Sequence, residues 1–185
     1  MKPEYFKARQ KRWDDYFLGI CNAVATKSPC LSRQIGCLIV RDHSILSTGY
    51  NGPPRGIPHC GSERFEKDLS ISFITKLKEF EDLFTISDIR STCPRRLLGY
   101  KSGEGMEWCT AQHAEENAIS NAARLGVSTV GATLYMNSVI PCNKCLGTLI
   151  NAGVVEIVVS QLTIYDDHTD FILNNANIKV RDFTT

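Results

Sequence analysis

His113-Ala114-Glu115-Glu116-Asn117-Ala118-Ile119, followed by the strand pattern Ala132-Thr133-Leu134-Tyr135-Met136-Asn137 and then by Pro141-Cys142-Asn143-Lys144-Cys145, decides how this chain is read. A helix pattern, a strand and a second helix pattern follow one another, and each helix opens on residues that bind soft metals. One imidazole and two thiolates suit Zn²⁺, and three protein ligands leave the fourth tetrahedral position open for a water that does chemistry. Cys142 and Cys145 are three apart on one helical turn, so both sulfurs can face one metal. His113 and Cys142 each stand where a loop or strand gives way to a helix, and the positive dipole ends there favour thiolate and hydroxide. Glu115, two residues beyond His113, reaches the water without entering the coordination sphere and reads as a proton carrier. A His-x-Glu alone is common on any helix, and a lone C-x-x-C fits a structural zinc half-site or a redox pair. The two together, in this order and with Pro141 directly before Cys142, point to metal-assisted hydrolysis.

Working outward, good helix formers run from His113 to Leu125 and stop at Gly126, a left-handed C-terminal cap. Asn143 to Ala152 is a second helix stopped by Gly153, Val154 to Ser160 a buried strand, Asp167 to Asn175 a third helix and Ile178 to Asp182 a last strand. Toward the N-terminus, Gly36 to Val40 and Ser44 to Gly49 flank a polar Arg41-Asp42-His43 turn and predict a β-hairpin. Trp13, Tyr16, Phe17, Ile20, Cys21 and Val24 form an apolar stripe on a helix over Pro3 to Thr26 that packs on the sheet. Phe65, Leu69, Phe73, Leu77, Phe80 and Phe84 recur at helical spacing and predict an amphipathic helix over Ser62 to Leu83 with an ordinary packing role. The stretch from Cys93 to Glu107 reads as a loop. The sum is an α/β fold in three α-β-α layers. Its five-stranded mixed sheet is antiparallel in the opening hairpin and parallel across the crossovers, with helices on both faces. A single domain over 1–185 carries an inserted helical and loop segment at about 62–105.

The 185 residues, 43% hydrophobic and 22% charged, are ordinary for one soluble globular domain. The longest apolar runs are far short of a membrane span and the N-terminus lacks a signal-peptide core, so the expected setting is cytoplasmic, with no membrane partner. With 21 basic against 20 acidic residues, no bulk field draws the chain to nucleic acid. Eight cysteines without a secretion signal argue for metal ligation and reduced thiols over a disulfide framework.

With Gly49-Tyr50-Asn51-Gly52-Pro53-Pro54-Arg55-Gly56 upstream of the His113-Ala114-Glu115 helix, the chain resembles the deoxycytidylate deaminases of the cytidine deaminase superfamily. The similarity runs from about Ser28 to Val180, interrupted at about 62–105. It implies hydrolysis of dCMP to dUMP and ammonia, feeding thymidylate synthesis. Glu115 would take a proton from the water, the hydroxide would attack the amine-bearing ring carbon, and Glu115 would deliver protons to the ring nitrogen and the departing ammonia. The resemblance also implies a homohexamer, activated by dCTP and inhibited by dTTP, with Mg²⁺ accompanying the effector. It gives Asn51 a hydrogen bond to the deoxyribose and base region, although Asn51-Gly52-Pro53-Pro54 is strong turn chemistry by itself. Tyr165 matches a position near the substrate 5′-phosphate, and Arg124 a helix arginine of the effector site and subunit contacts. Cys30, His59, Cys60 and Cys109 resemble a second, structural zinc site of some members, with Cys93 an alternative to His59 and separate reduced thiols the plainer reading. Cys21 and Cys37 read as core residues. Two rival functions stand beside this one: deamination of another substrate, dCTP or tRNA adenosine, and a non-catalytic, zinc-stabilised assembly protein.

Overall fold

Strand β1 (Gly36–Arg41) turns through Asp42 and His43 into β2 (Ser44–Tyr50). Both turn residues have positive φ, 50° and 60°, the pairing a two-residue hairpin of right-handed twist requires. The computed structural model describes residues 3–68, 84–101, 103–164 and 166–184. Its contacts divide the chain into two compact units, one of Met1–Ser28, Ile35–Asn51 and His113–Thr185, the other of Pro29–Gln34 and Gly52–Gln112.

The first unit holds α1 (Pro3–Ala25), the hairpin, α5 (Ala114–Arg124), β3 (Thr133–Val139), α6 (Asn143–Asn151), β4 (Glu156–Gln161), α7 (Asp167–Asn175) and β5 (Lys179–Asp182). The strands lie in the order β2-β1-β3-β4-β5, with β1 antiparallel to β2 and β3, and β3, β4 and β5 parallel. Alternation sorts the sheet into two apolar faces. Cys37, Ile39, Leu134, Met136, Ile157 and Val159 join a core with residues of α5, α6 and α7. Leu38, Val40, Tyr135 and Val158 face the other way, onto Phe17 and Cys21 of α1. These are the expected three layers. The α1 stripe is narrower than its spacing implies, because Tyr16 is 52% exposed while Phe17 and Cys21 are fully buried. Asp14 on the same helix is buried because Arg181 of β5 grips it with two nitrogens, at 2.8 and 3.0 Å.

Helix α5 lies closely along β2. Asn117 Nδ2 donates to the Tyr50 carbonyl at 2.8 Å and Asn121 Nδ2 to the Thr48 carbonyl at 2.9 Å. Four residues of helix advance about 6 Å and two of strand about 6.6 Å, so the two amides fall in step with two carbonyls on one strand edge. Gly49, between those carbonyls, is the point of closest approach. A Cβ there would meet the Ala114 carbonyl oxygen and, at 2.5 Å, the Ala118 amide nitrogen. Backbone atoms cannot swing aside as a side chain does. Gly49→Ala is therefore expected to push α5 off the strand and to cost about 3 kcal/mol. An unchanged midpoint in urea unfolding would contradict the close approach.

The second unit holds α2 (Ser62–Lys67), α3 (Ile86–Ser91), α4 (Pro94–Leu97) and a 3₁₀ turn at Met106–Trp108. The expected helix over Ser62 to Leu83 is present through Lys67 and ends there, because Asp68 leaves the helical conformation (φ −80°, ψ 88°); residues 69–83 lie outside the described residues. The expected loop from Cys93 to Glu107 instead contains α4 and the 3₁₀ turn. Pro94 at the first helical position nucleates α4, a start signal the polar composition hides. Buried Arg64 organises this unit by pairing with Asp68 at 2.9 Å and donating to the Trp108 carbonyl at 2.6 Å. No helix among the described residues is long and apolar enough to cross a membrane.

Candidate metal centre

Helices α5 and α6 both open on a would-be ligand: His113 is the N-cap of α5, and Cys142 the N-cap of α6 with Cys145 one turn on. The fold brings the three together. His113 Nδ1 lies 3.6 Å from Cys142 Sγ and 3.3 Å from Cys145 Sγ, and all three atoms lie within 4.8 Å of one another. With ordinary Zn–N and Zn–S bond lengths, a tetrahedral N···S edge is roughly 3.6 Å, so the triangle fits zinc without rearrangement. Among the described residues this is the one cluster of three such ligands at that spacing.

The three groups hold one another's protons. The Cys145 thiol hydrogen-bonds to Cys142, lowering Cys142 to about 4, with His113 contributing. The bond to Cys142 in turn raises His113 to about 9, against desolvation. Cys145, bonded to the same sulfur and buried, is pushed far up. A cation in the triangle competes with those protons, and its affinity is accordingly pH-dependent. Glu115 is 5% exposed, and its burial lifts the carboxyl to about 6. Its carboxylate stands outside the ligand triangle, near enough to feel His113 and Cys142. Cys37 of β1 is a buried core residue, as expected, and burial, with the Glu115 charge adding, pushes its thiol up.

Two further carboxylates shape the centre. Glu116 accepts from the His113 amide at 2.9 Å, and Asp166 accepts from the Asn143 amide and side chain at 3.4 and 3.2 Å. Sequence reading missed both. Glu116 was findable, since an acid at the third helical position is half of a capping box. Asp166 carries the local signal of an N-cap, an Asp directly before α7, but its reach to Asn143 carries none.

The remaining expected residues fall as follows. Asn51 is buried, and its Oδ1 accepts from Ser28 Oγ and the Ile35 amide, each at 2.8 Å. Its acceptor is thus spent on holding the turn. Arg124 is exposed in the last turn of α5. Tyr165 lies outside the described residues. In the second unit, burial raises the Cys60 thiol, with Arg64 opposing and Cys93 and Cys109 adding to the rise, so these three cysteines share a neighbourhood. His59 is exposed. Cys30 is half-buried in the same unit.

A family model described as the cytidine and deoxycytidylate deaminase zinc-binding region matches residues 11–161. The deoxycytidylate deaminase of Saccharomyces cerevisiae is 32% identical over 172 residues, covering 93% of this chain and 45% of that protein. The deoxycytidylate deaminase of Mycobacterium phage D29 is 33% identical over 151 residues, covering 79% of this chain and 92% of the phage protein. The chain thus spans a little under half the length of its budding-yeast relative and nearly all of the phage one. The crystal structure of dCMP deaminase from the cyanophage S-TIM5 in complex with dCMP and dUMP aligns over 98% of both chains with a TM-score of 0.57. At 22% identity that likeness is one of fold.

Proposed function

This chain belongs to the cytidine and deoxycytidylate deaminase family, and from that premise we propose that it hydrolyses dCMP to dUMP and ammonia with zinc at His113, Cys142 and Cys145. The observation that carries the reading is a ligand triangle of zinc dimensions with a buried carboxylate beside it and outside it. Zinc in the triangle supplies a water acidic enough to lose its proton near neutral pH. Glu115 takes that proton, and its raised pKa leaves the carboxyl able to give it back. It passes the first proton to the ring nitrogen next to the amine-bearing carbon as the water oxygen bonds to that carbon. The proton remaining on the oxygen goes by the same carboxylate to the amine, which leaves as ammonia while a carbonyl forms. Burial of Glu115 keeps bulk water from exchanging those protons.

Asn51 contacts the deoxyribose and base region, and Tyr165 serves the 5′-phosphate. Arg124 belongs to an effector and subunit contact of a homohexamer activated by dCTP and inhibited by dTTP, with Mg²⁺ accompanying the nucleotide. A second, structural zinc draws on Cys30, Cys60 and Cys109, with His59 or Cys93 as the fourth ligand.

The test is ammonia release by zinc-loaded protein with dCMP, dCTP, deoxycytidine and CMP in parallel, each with and without dCTP or dTTP as effector. Turnover confined to dCMP, raised by dCTP and lowered by dTTP, is expected. Preference for dCTP as substrate would move the assignment one phosphate level up, and silence on all four would remove it.

A further inference from the structure

The N-terminus of a helix leaves its first amides without intrahelical partners, and the N-cap side chain is the usual acceptor. In α6 that side chain is the metal ligand Cys142, which makes no capping hydrogen bond. The first amide of α6, that of Asn143, therefore takes a carboxylate from the N-cap of another helix, 23 residues away in sequence.

We propose that Asp166 is a positioning residue for the catalytic metal, fixing the Cys142–Cys145 turn by binding Asn143 while it caps α7. Its Oδ1 accepts from the Thr169 amide at 2.8 Å and from Asn143 Nδ2 at 3.2 Å. Its Oδ2 accepts from Thr169 Oγ1 at 3.0 Å and from the Asn143 amide at 3.4 Å. One carboxylate thus serves the first turns of two helices, where the dipoles of both favour its charge. Thr169 is fully buried, so this anchor is fixed in the core while Asn143, next to Cys142, is held from it. Desolvation opposes the charge on Asp166, and the bonds from Thr169 and Asn143 outweigh it, keeping the carboxyl below its ordinary range. The latch also ties the metal-binding turn to the β4–α7 loop, which carries Tyr165. Metal ligands held from behind in this way keep their geometry between turnovers, and loss of such a partner commonly weakens metal binding by about tenfold to a hundredfold.

The inference rests on zinc at His113, Cys142 and Cys145, and its test separates the two. Zinc transfer from the purified full chain to a chromogenic chelator is followed in wild type, Asp166→Asn, Asn143→Ala and the exchanged pair Asn143→Asp/Asp166→Asn. The trace of Cys145→Ala is subtracted to remove any second metal. Asn caps a helix as well as Asp does, so Asp166→Asn keeps α7 while losing the charge and one acceptor. Release about tenfold faster is expected in Asp166→Asn and in Asn143→Ala, at a thermal midpoint close to wild type. The exchanged pair reverses donor and acceptor and is expected to return the rate to within about threefold of wild type. Release at the wild-type rate in both single variants, or no recovery in the exchanged pair, would overturn the latch and leave the zinc assignment standing. A wild type that yields no more zinc than Cys145→Ala would overturn both.

Discussion

Glu115→Gln is expected to leave zinc on the protein and to lower dCMP turnover by about 10³- to 10⁴-fold. The two side chains have the same shape, so the packing around position 115, 5% exposed, survives the change. What is lost is a proton acceptor beside the metal water and a donor for the ring nitrogen and the amine. Because one carboxylate serves all three transfers, the loss belongs at the upper end of what a single general acid–base contributes. Stability should not fall, since a buried ionisable group held up to about 6 by desolvation is replaced by a neutral amide. Zinc content and single-turnover rate, measured on the same preparation, check this. Turnover near wild type with zinc retained would remove Glu115 from the mechanism.

Cys145→Ala is expected to abolish turnover and to remove one zinc per chain. Without this sulfur only His113 and Cys142 remain, one ligand below the three that ordinarily hold a catalytic zinc. The loss is also felt in folding, because binding free energy at such a site is available only to the folded chain. Cys145 is 1% exposed, and its truncation leaves a small cavity as well. Counting metal in both proteins reports on the second unit. A fall from two zincs to one places the survivor among the cysteines of the second unit, whereas a fall from one to none leaves those cysteines as thiols. Zinc content unchanged from wild type would contradict the ligand assignment.

The sheet and its helices were legible because the elements of the first unit carry their period, α1 excepted, where Tyr16 of the stripe is exposed. β1, β3 and β4 alternate between two apolar faces, α6 stops at Gly153, and the turn residues Asp42 and His43 sit where two polar residues interrupt apolar runs. The ligand triangle was legible because its spacing is local: one helix turn spans Cys142 and Cys145, and His113 and Glu115 lie on one helix start. What escaped is what depends on contacts between distant segments. Asp166 reaches Asn143 across 23 residues, Cys37 senses Glu115 from a neighbouring strand, and Gly49 is constrained by a helix that begins 65 residues later, at Ala114. At Asn51 the turn chemistry read from the sequence is what the contacts display. Its side chain can both donate and accept, yet Ser28 and Ile35 consume the acceptor, a competition no single-residue inventory contains.

The most direct test of the central claim is dCMP turnover measured against zinc added back to metal-free protein. Turnover absent without metal, rising in proportion to zinc and levelling when the His113 site is filled, with dUMP and ammonia formed in equal amounts, is the predicted result. Equal turnover by metal-free protein, or zinc-filled protein that leaves dCMP unchanged, would contradict it.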